Sequence, residues 1–372
     1  MKCPRIRFLN IQPFGSNFII EDPYGISETI LVKPSFLLLL SLMDGTKNDT
    51  EIKAEYFRKT GVLLKDEEYR EILNFLKERG FLEDENFFEK LKLKRKEMLL
   101  KKIKEPFHAG IAYPAEKEKL KELLQKHILN QHKESVLGIL VPHMDLRIAL
   151  PTYGKTYGMS SAQPETVVIL GVSHYLHETP FSVCPLHYKT PLGIAETDEE
   201  IIKEIKNTFD HDVFHDILSY EKEHSIEFQM IFIKYLFPKA KVVPIIISYG
   251  DENFLKVVSE RLSRVFEKRN ILLISSVDLS HVGKKFGDRV SYDPSKRDKD
   301  YIQLLSNLDS YESFHLLNSD GNRTRIDGQF TNFVFLEILK NLGASKGKEI
   351  DYQIYYEKET DSIVTYCGMI FR

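Results

Sequence analysis

The sequence predicts an α/β fold, a mainly parallel mixed sheet flanked by helices, with a small α+β domain at its amino-terminal end. Three observations carry this. The runs VLGILVPH, TVVILGVSH and ILLISSVDLSH, ending at His143, His174 and His281, are rich in Val, Ile and Leu, as strands buried on both faces of a parallel sheet are. Helix-length segments alternate with such runs, the pattern of a sheet covered on both sides. The amino-terminal part departs from this rhythm. Two domains, 1–105 and 106–372, are therefore expected in the 372 residues.

In chain order, IRFLNI and NFIIED read as short strands. Pro34 opens a helix over SFLLLLSLM that stops at the Asp44-Gly45 turn. Asp49 or Thr50 is expected to cap the next helix, EIKAEYFRKTG. DEEYREILNFLKERG closes at Gly80, and FLED follows as a wing strand. Strands and three short helices in this order suggest a winged-helix-like module. KLKLKRKEMLLKKIK, basic and amphipathic, reads as a solvated linker helix.

The second domain continues past His143 through a polar-aromatic stretch to Ser161, the strand ending at His174, and FSVCPLHY. DEEIIKEIKNTF is a helix with Asp198 near its start, EHSIEFQMIFIKYLF an apolar helix and KVVPIIIS a strand. ENFLKVVSERLSRVFEK is a helix feeding the strand that ends near His281. The helical segments RDKDYIQLLSNL, SYESFHLLN and FTNFVFLEILKNL follow, and the strands KEIDYQIYYEK and SIVTYCGMIF close the chain.

Composition narrows the function. A net charge of −3 offers no general attraction to nucleic acid or anionic lipid, so neither is expected as a partner. MKCPRIRFLN lacks the apolar core of a secretory signal, and SFLLLLSLM is too short to span a bilayer. Cys3, Cys184 and Cys367 are widely spaced without a CxxC pair, which fits a reducing cytoplasm better than a disulfide framework. No P-loop, GxGxxG or GxSxG pattern appears.

Ligand crevices of open α/β sheets lie beyond the carboxyl ends of the strands. Imidazoles there can gather into a metal or acid–base site. A single histidine at a strand end, such as His143 or His174, is ordinarily a cap bonded to backbone; two at neighbouring strand ends could also be paired metal ligands. Asp278 and His281 lie three apart in VDLSH. His224 and Glu227 share one helix face.

The segments AGIAYPA (Ala109 to Ala115), VPHMD, ILGVSH, YKTPLG, EHSIEFQ, VVPIII and SSVDLSHVG, in this order, resemble the Memo family, protein B of the AmmeMemoRadiSam system. The resemblance implies a fold similar to class III extradiol dioxygenases and a site with metal ligands at His143 and His174. It places Asp327, before Gly328, where the family usually has Cys. A carboxylate there would complete a two-histidine facial triad, although Asp-Gly before a helix is also ordinary turn chemistry. The analogy makes His281 the acid–base residue, with Asp278 fixing its tautomer. His224 is then a pocket residue or substrate contact, and Glu227 supports it from behind. Fe(II) is the expected ion, with Cu or Zn as alternatives. The implied activity is a dioxygenase-like redox reaction. The alternative is a non-catalytic metal- or peptide-binding component, and a metal-dependent hydrolase is a third option. The system's name implies radical SAM and AMMECR-type partners. The amino-terminal segment PSFLLLLSLMDGTKNDTEI, with GFLED, resembles a PqqD-type module, which implies recognition of a peptide or protein.

Overall fold

The computed structural model describes residues 3–128, 133–175 and 177–372. They divide into two units, Met1–Leu100 and Lys101–Arg372. The first unit contains an antiparallel sheet of β1 (Asn10–Phe14), β2 (Asn17–Glu21) and β3 (Ile30–Val32). It continues with α1 (Pro34–Leu42), α2 (Asp49–Thr60), α3 (Asp66–Glu78) and α4 (Glu85–Leu100). Pro34 sits at the start of α1, where its missing N–H has no helical partner to lose. The cap of α2 is Asn48 rather than Asp49 or Thr50. Its side chain accepts from the Thr50 and Glu51 amides while Glu51 reaches back to the Asn48 amide. FLED forms no strand; Leu82 makes only an isolated bridge to Ile6, and the first strand takes only the last two residues of IRFLNI, beginning at Asn10 and running on to Phe14.

The second unit opens with β4 (Ile103–Lys104), α5 (Lys117–His127), β5 (Gly138–Val141), α6 (Leu146–Gly158) and β6 (Thr166–Gly171). Next come β7 (Phe181–Val183), β8 (His187–Thr190), β9 (Gly193–Ala195), α7 (Glu199–Thr208), α8 (His224–Leu236), β10 (Lys241–Ile247) and α9 (Glu252–Phe266). It ends with β11 (Ile271–Ser276), β12 (His281–Gly283), α10 (Ser295–Ser306), α11 (Ser310–Asn318), α12 (Gln329–Asn341), β13 (Gly347–Glu357) and β14 (Ser362–Phe371). Lys101 to Glu105 fall in this unit because β4 pairs with β8.

The main sheet runs β12-β14-β5-β11-β6-β10-β7, with β13 beside β14. Its centre, β5-β11-β6-β10, is parallel; its margins are antiparallel. Every residue of β5 and β6 is buried, as expected for strands covered on both faces. Successive residues of β11 show which helices cover them. Ser275 donates to Asn332 of α12, and Ser276, pointing the other way, donates to the Ser225 carbonyl of α8. Two glycines permit this close packing. A Cβ at Gly138 would meet Leu339 at 2.9 Å, and one at Gly171 would meet Ser225 at 2.6 Å.

The α/β class and the mixed sheet are as the sequence predicts, with three differences in detail. ILLISSVDLSH is not one strand: β11 stops at Ser276, and His281 opens a separate strand antiparallel to β14. The stretch to Ser161 is largely helix α6, capped by Asp145 and carrying Pro151 inside it. Helix α5 has no counterpart among the expected elements. Among the described residues no helix is long and apolar enough to cross a membrane.

Candidate metal centre

Three side chains meet at the carboxyl end of the parallel sheet. His143 lies just beyond β5, His174 just beyond β6, and His224 is the first residue of α8. Their ring centroids are 4.8 Å (143–174), 5.1 Å (143–224) and 4.1 Å (174–224) apart. One nitrogen from each lies within 4.8 Å of the others. The rings are oriented from behind. Nδ1–H of His143 donates to the Ser276 carbonyl at 3.0 Å, and Nδ1–H of His174 donates to Glu223 at 2.7 Å. Both turn Nε2 toward the site, the usual arrangement behind metal-binding imidazoles.

Glu223 is fully buried and serves two structures. Its carboxylate caps α8 through the Ser225 amide and also accepts from the His174 amide. Burial alone would raise its pKa. The hydrogen bond and charge of His174 override that and hold it down at about 2.

Two carboxylates approach His143 from the other side. Asp278 uses Oδ1 to accept from the His143 and Met144 amides, and its Oδ2 lies 3.8 Å from His143 Nε2. Asp327 uses Oδ1 to accept from the Asp278 amide. Its Oδ2 lies 2.8 Å from His143 Nε2, buried and without a well-directed hydrogen bond. Each carboxylate is thus anchored by one oxygen and offers the other toward the same nitrogen. Burial pushes the His143 imidazole down, but the charges of Asp278 and Asp327 hold it up at about 10. Burial, with His174 and His143 beside it, pushes His224 well below the ordinary histidine value. The cluster favours one positive charge near His143 Nε2.

The structure regroups the residues singled out in the sequence. His143 belongs to two compact donor groups, one with His174 and His224 and the other with Asp278 and Asp327. The trio His143, His174 and Asp327 is not itself one compact group, and the third imidazole beside the pair is His224, not His281. His281 lines the same cavity, but Asp278 does not set its tautomer; its Nδ1–H faces the carbonyls of Leu279 (2.9 Å) and Arg325 (3.0 Å). The hydrogen bonds of Glu227 do not go to His224. The Glu227 carboxylate accepts from Lys104 Nζ, the Phe107 and His108 amides and the Tyr113 hydroxyl, and so fastens residues 104–113 against α8. Burial opposes its ionisation, but contacts from His108 and Lys104 hold its carboxyl far below the usual range.

Two contributors were not singled out in the sequence. Glu223 is one; its position directly before His224 at a helix start is the signal. The other is His108, whose ring packs edge-on against Phe228, 5.2 Å between centroids, and lines the cavity. The cavity measures about 530 Å³, a size that suits a small organic molecule. Met144, Phe228, Phe286 and Val364 give it apolar walls beside the histidines.

The model of the Memo-like protein family matches residues 104–370, nearly all of the second unit. A MEMO1 family protein of Aquifex aeolicus is 53% identical over 371 residues, covering 99% of both chains. One from Thermus thermophilus is 27% identical, covering 84% of this chain and 96% of its own. A relative from Thermococcus onnurineus is 30% identical and covers 73% of this chain but 99% of its own. With the family model spanning most of its length and a full-length relative above half identity, the chain belongs to the Memo-like protein family.

Proposed function

We propose that this chain is a non-haem, metal-dependent redox protein similar in kind to the extradiol dioxygenases. The ion is divalent, Fe(II) before Cu or Zn, and is held by His143, His174 and His224, with Asp327 beside them on the His143 side. The observation that carries this reading is the convergence of three imidazoles, with Asp327 Oδ2 2.8 Å from His143 Nε2. A buried carboxylate oxygen is costly unless a positive charge meets it, and a bound cation would supply that charge. Bound Fe(II) would supply Lewis acidity toward a substrate hydroxyl and a reductant for dioxygen. The Ser276 carbonyl and Glu223 hold the Nδ1 side of His143 and His174, turning both Nε2 atoms toward the site. His281, whose Nδ1–H is occupied by two carbonyls, is left with Nε2 to take a proton from a substrate hydroxyl in the cavity. Phe228, Phe286 and Val364 limit water around it. The test is metal content and oxygen uptake. Anaerobically purified chain loaded with Fe(II) should retain one ion per chain, lose it in His143→Ala, and consume oxygen with members of a catechol panel. Full metal occupancy with no oxygen uptake across the panel counts against the oxygenase reading.

A second reading, a binding component of a modification system with radical SAM and AMMECR-type partners, is favoured by one feature of the first unit. Strand β3 is an edge strand beside a groove formed by Leu31, Phe36 and Phe75. Such an edge can accept an extended peptide as an added strand, consistent with the PqqD-type resemblance. Leu31→Asp in the full chain should then abolish partner capture while leaving metal content intact.

A further inference from the structure

We propose that Asp327, together with Asp278, makes this a thiolate-free centre that selects a divalent, oxygen-preferring ion and rejects Cu(I), with Asp327 as the selecting residue. This rests on the reading of His143, His174 and His224 as ligands. The donors gathered around His143 Nε2 are nitrogen and oxygen only. No cysteine belongs to either donor group, and both Cys184 and Cys367 are fully buried elsewhere in the core. Imidazole accepts many transition ions, so it does not decide between them; the carboxylates do, because hard oxygen donors disfavour a soft monovalent ion.

Carboxylate oxygen donors also favour a divalent over a monovalent ion, whose smaller charge offsets less of the cost of burying them. The two carboxylates are also preset for the task. Asp278 Oδ1 is tied to the His143 and Met144 amides, and Asp327 Oδ1 to the Asp278 amide. This fixes both carboxylates, with Asp327 Oδ2 at 2.8 Å and Asp278 Oδ2 at 3.8 Å from His143 Nε2. Gly328 follows Asp327, and a Cβ there would meet Val277 at 2.8 Å, so the loop carrying Asp327 is pressed against the end of β11. Among the described residues that line the cavity, the one soft atom is the thioether sulfur of Met144.

The experiment is an anaerobic competition on the metal-free full chain, with equimolar ferrous salt and Cu(I) supplied as its acetonitrile complex. Retained metal is counted by mass spectrometry after desalting. Wild type should keep Fe(II) over Cu(I) by at least tenfold. Asp327→Cys should reverse the order, and Asp327→Asn, closest in shape, should lower Fe(II) retention without raising Cu(I). Wild type that prefers Cu(I), or Asp327→Cys with wild-type preference and a native circular dichroism spectrum, overturns the assignment. Wild type that retains neither ion overturns the metal reading on which the proposal rests, a distinguishable failure.

Discussion

Replacing Glu223 by Gln isolates what a buried carboxylate does for the metal centre. The carboxylate accepts from His174 Nδ1–H at 2.7 Å, the His174 amide at 2.9 Å and the Ser225 amide at 3.0 Å. Glutamine has nearly the same shape but only one acceptor oxygen. If that oxygen takes the place of Oε1, the new NH2 faces the His174 amide donor to donor; turned the other way, it faces His174 Nδ1–H and the Ser225 amide. Either orientation leaves at least one buried donor unsatisfied, costing about 1–3 kcal/mol of stability. Loss of the negative charge also weakens the hold on His174 Nδ1–H and frees its ring to turn. Changes at partners of ligating histidines typically cost roughly 10–100-fold in metal affinity, or about 1.4–2.7 kcal/mol. The assay is chelator competition with Fe(II) and Zn(II) on wild type and Glu223→Gln, with thermal unfolding of both metal-free proteins. A variant that binds within about threefold of wild type refutes the claim that Glu223 orients a ligand.

Glu227→Gln should destabilise the metal-free chain by about 3–5 kcal/mol, because it leaves the buried Lys104 ammonium unpaired; denaturant titration measures this. Since the folded-state pKa of Glu227 is depressed, its stabilisation is complete above the unfolded carboxyl value and is lost as pH falls through the folded one. Glu227→Gln should therefore lose less stability on acidification than wild type, and parallel stability curves would refute this. Free metal at 100 times its Kd should stabilise wild type by about 2.7 kcal/mol, visible as a higher Tm by calorimetry; the same Tm shift in His143→Ala would place the ion elsewhere. His281→Gln should keep full metal occupancy while losing catechol-dependent oxygen uptake, and loss of the metal in this variant would make His281 a ligand rather than a base.

The parallel centre of the sheet was legible because β5 and β6 are buried along their whole length, so their apolar runs are unbroken. Helix α6 was not, since LRIALPTYGKTYG contains Pro151 and Gly154, both poor helix residues locally. Packing explains Gly154: a Cβ there would lie 2.1 Å from the His127 carbonyl oxygen, so α5 and α6 can approach only with glycine in place. The site was half legible. His143 and His174 sit at the ends of recognisable strands. His281 looked like their equal because the apolar run leading to it hides the end of β11 at Ser276. Selecting His224 instead requires knowing that α8 begins beside the end of β6, a tertiary fact. The same holds for Glu223, which is 49 positions from the histidine it orients. Glu227 was read from its spacing to His224, yet its partners come from residues 104–113. Helical spacing indicates which residues share a face, not what that face meets.

The most direct measurement is an anomalous-scattering map from crystals of the full chain grown with Fe(II). The account predicts one iron peak per chain, with the Nε2 atoms of His143, His174 and His224 at bonding distance, about 2.0–2.2 Å, and Asp327 Oδ2 beside it. No peak at that position, or a peak only at another cluster such as Glu178, His215 and Asp216, would contradict it.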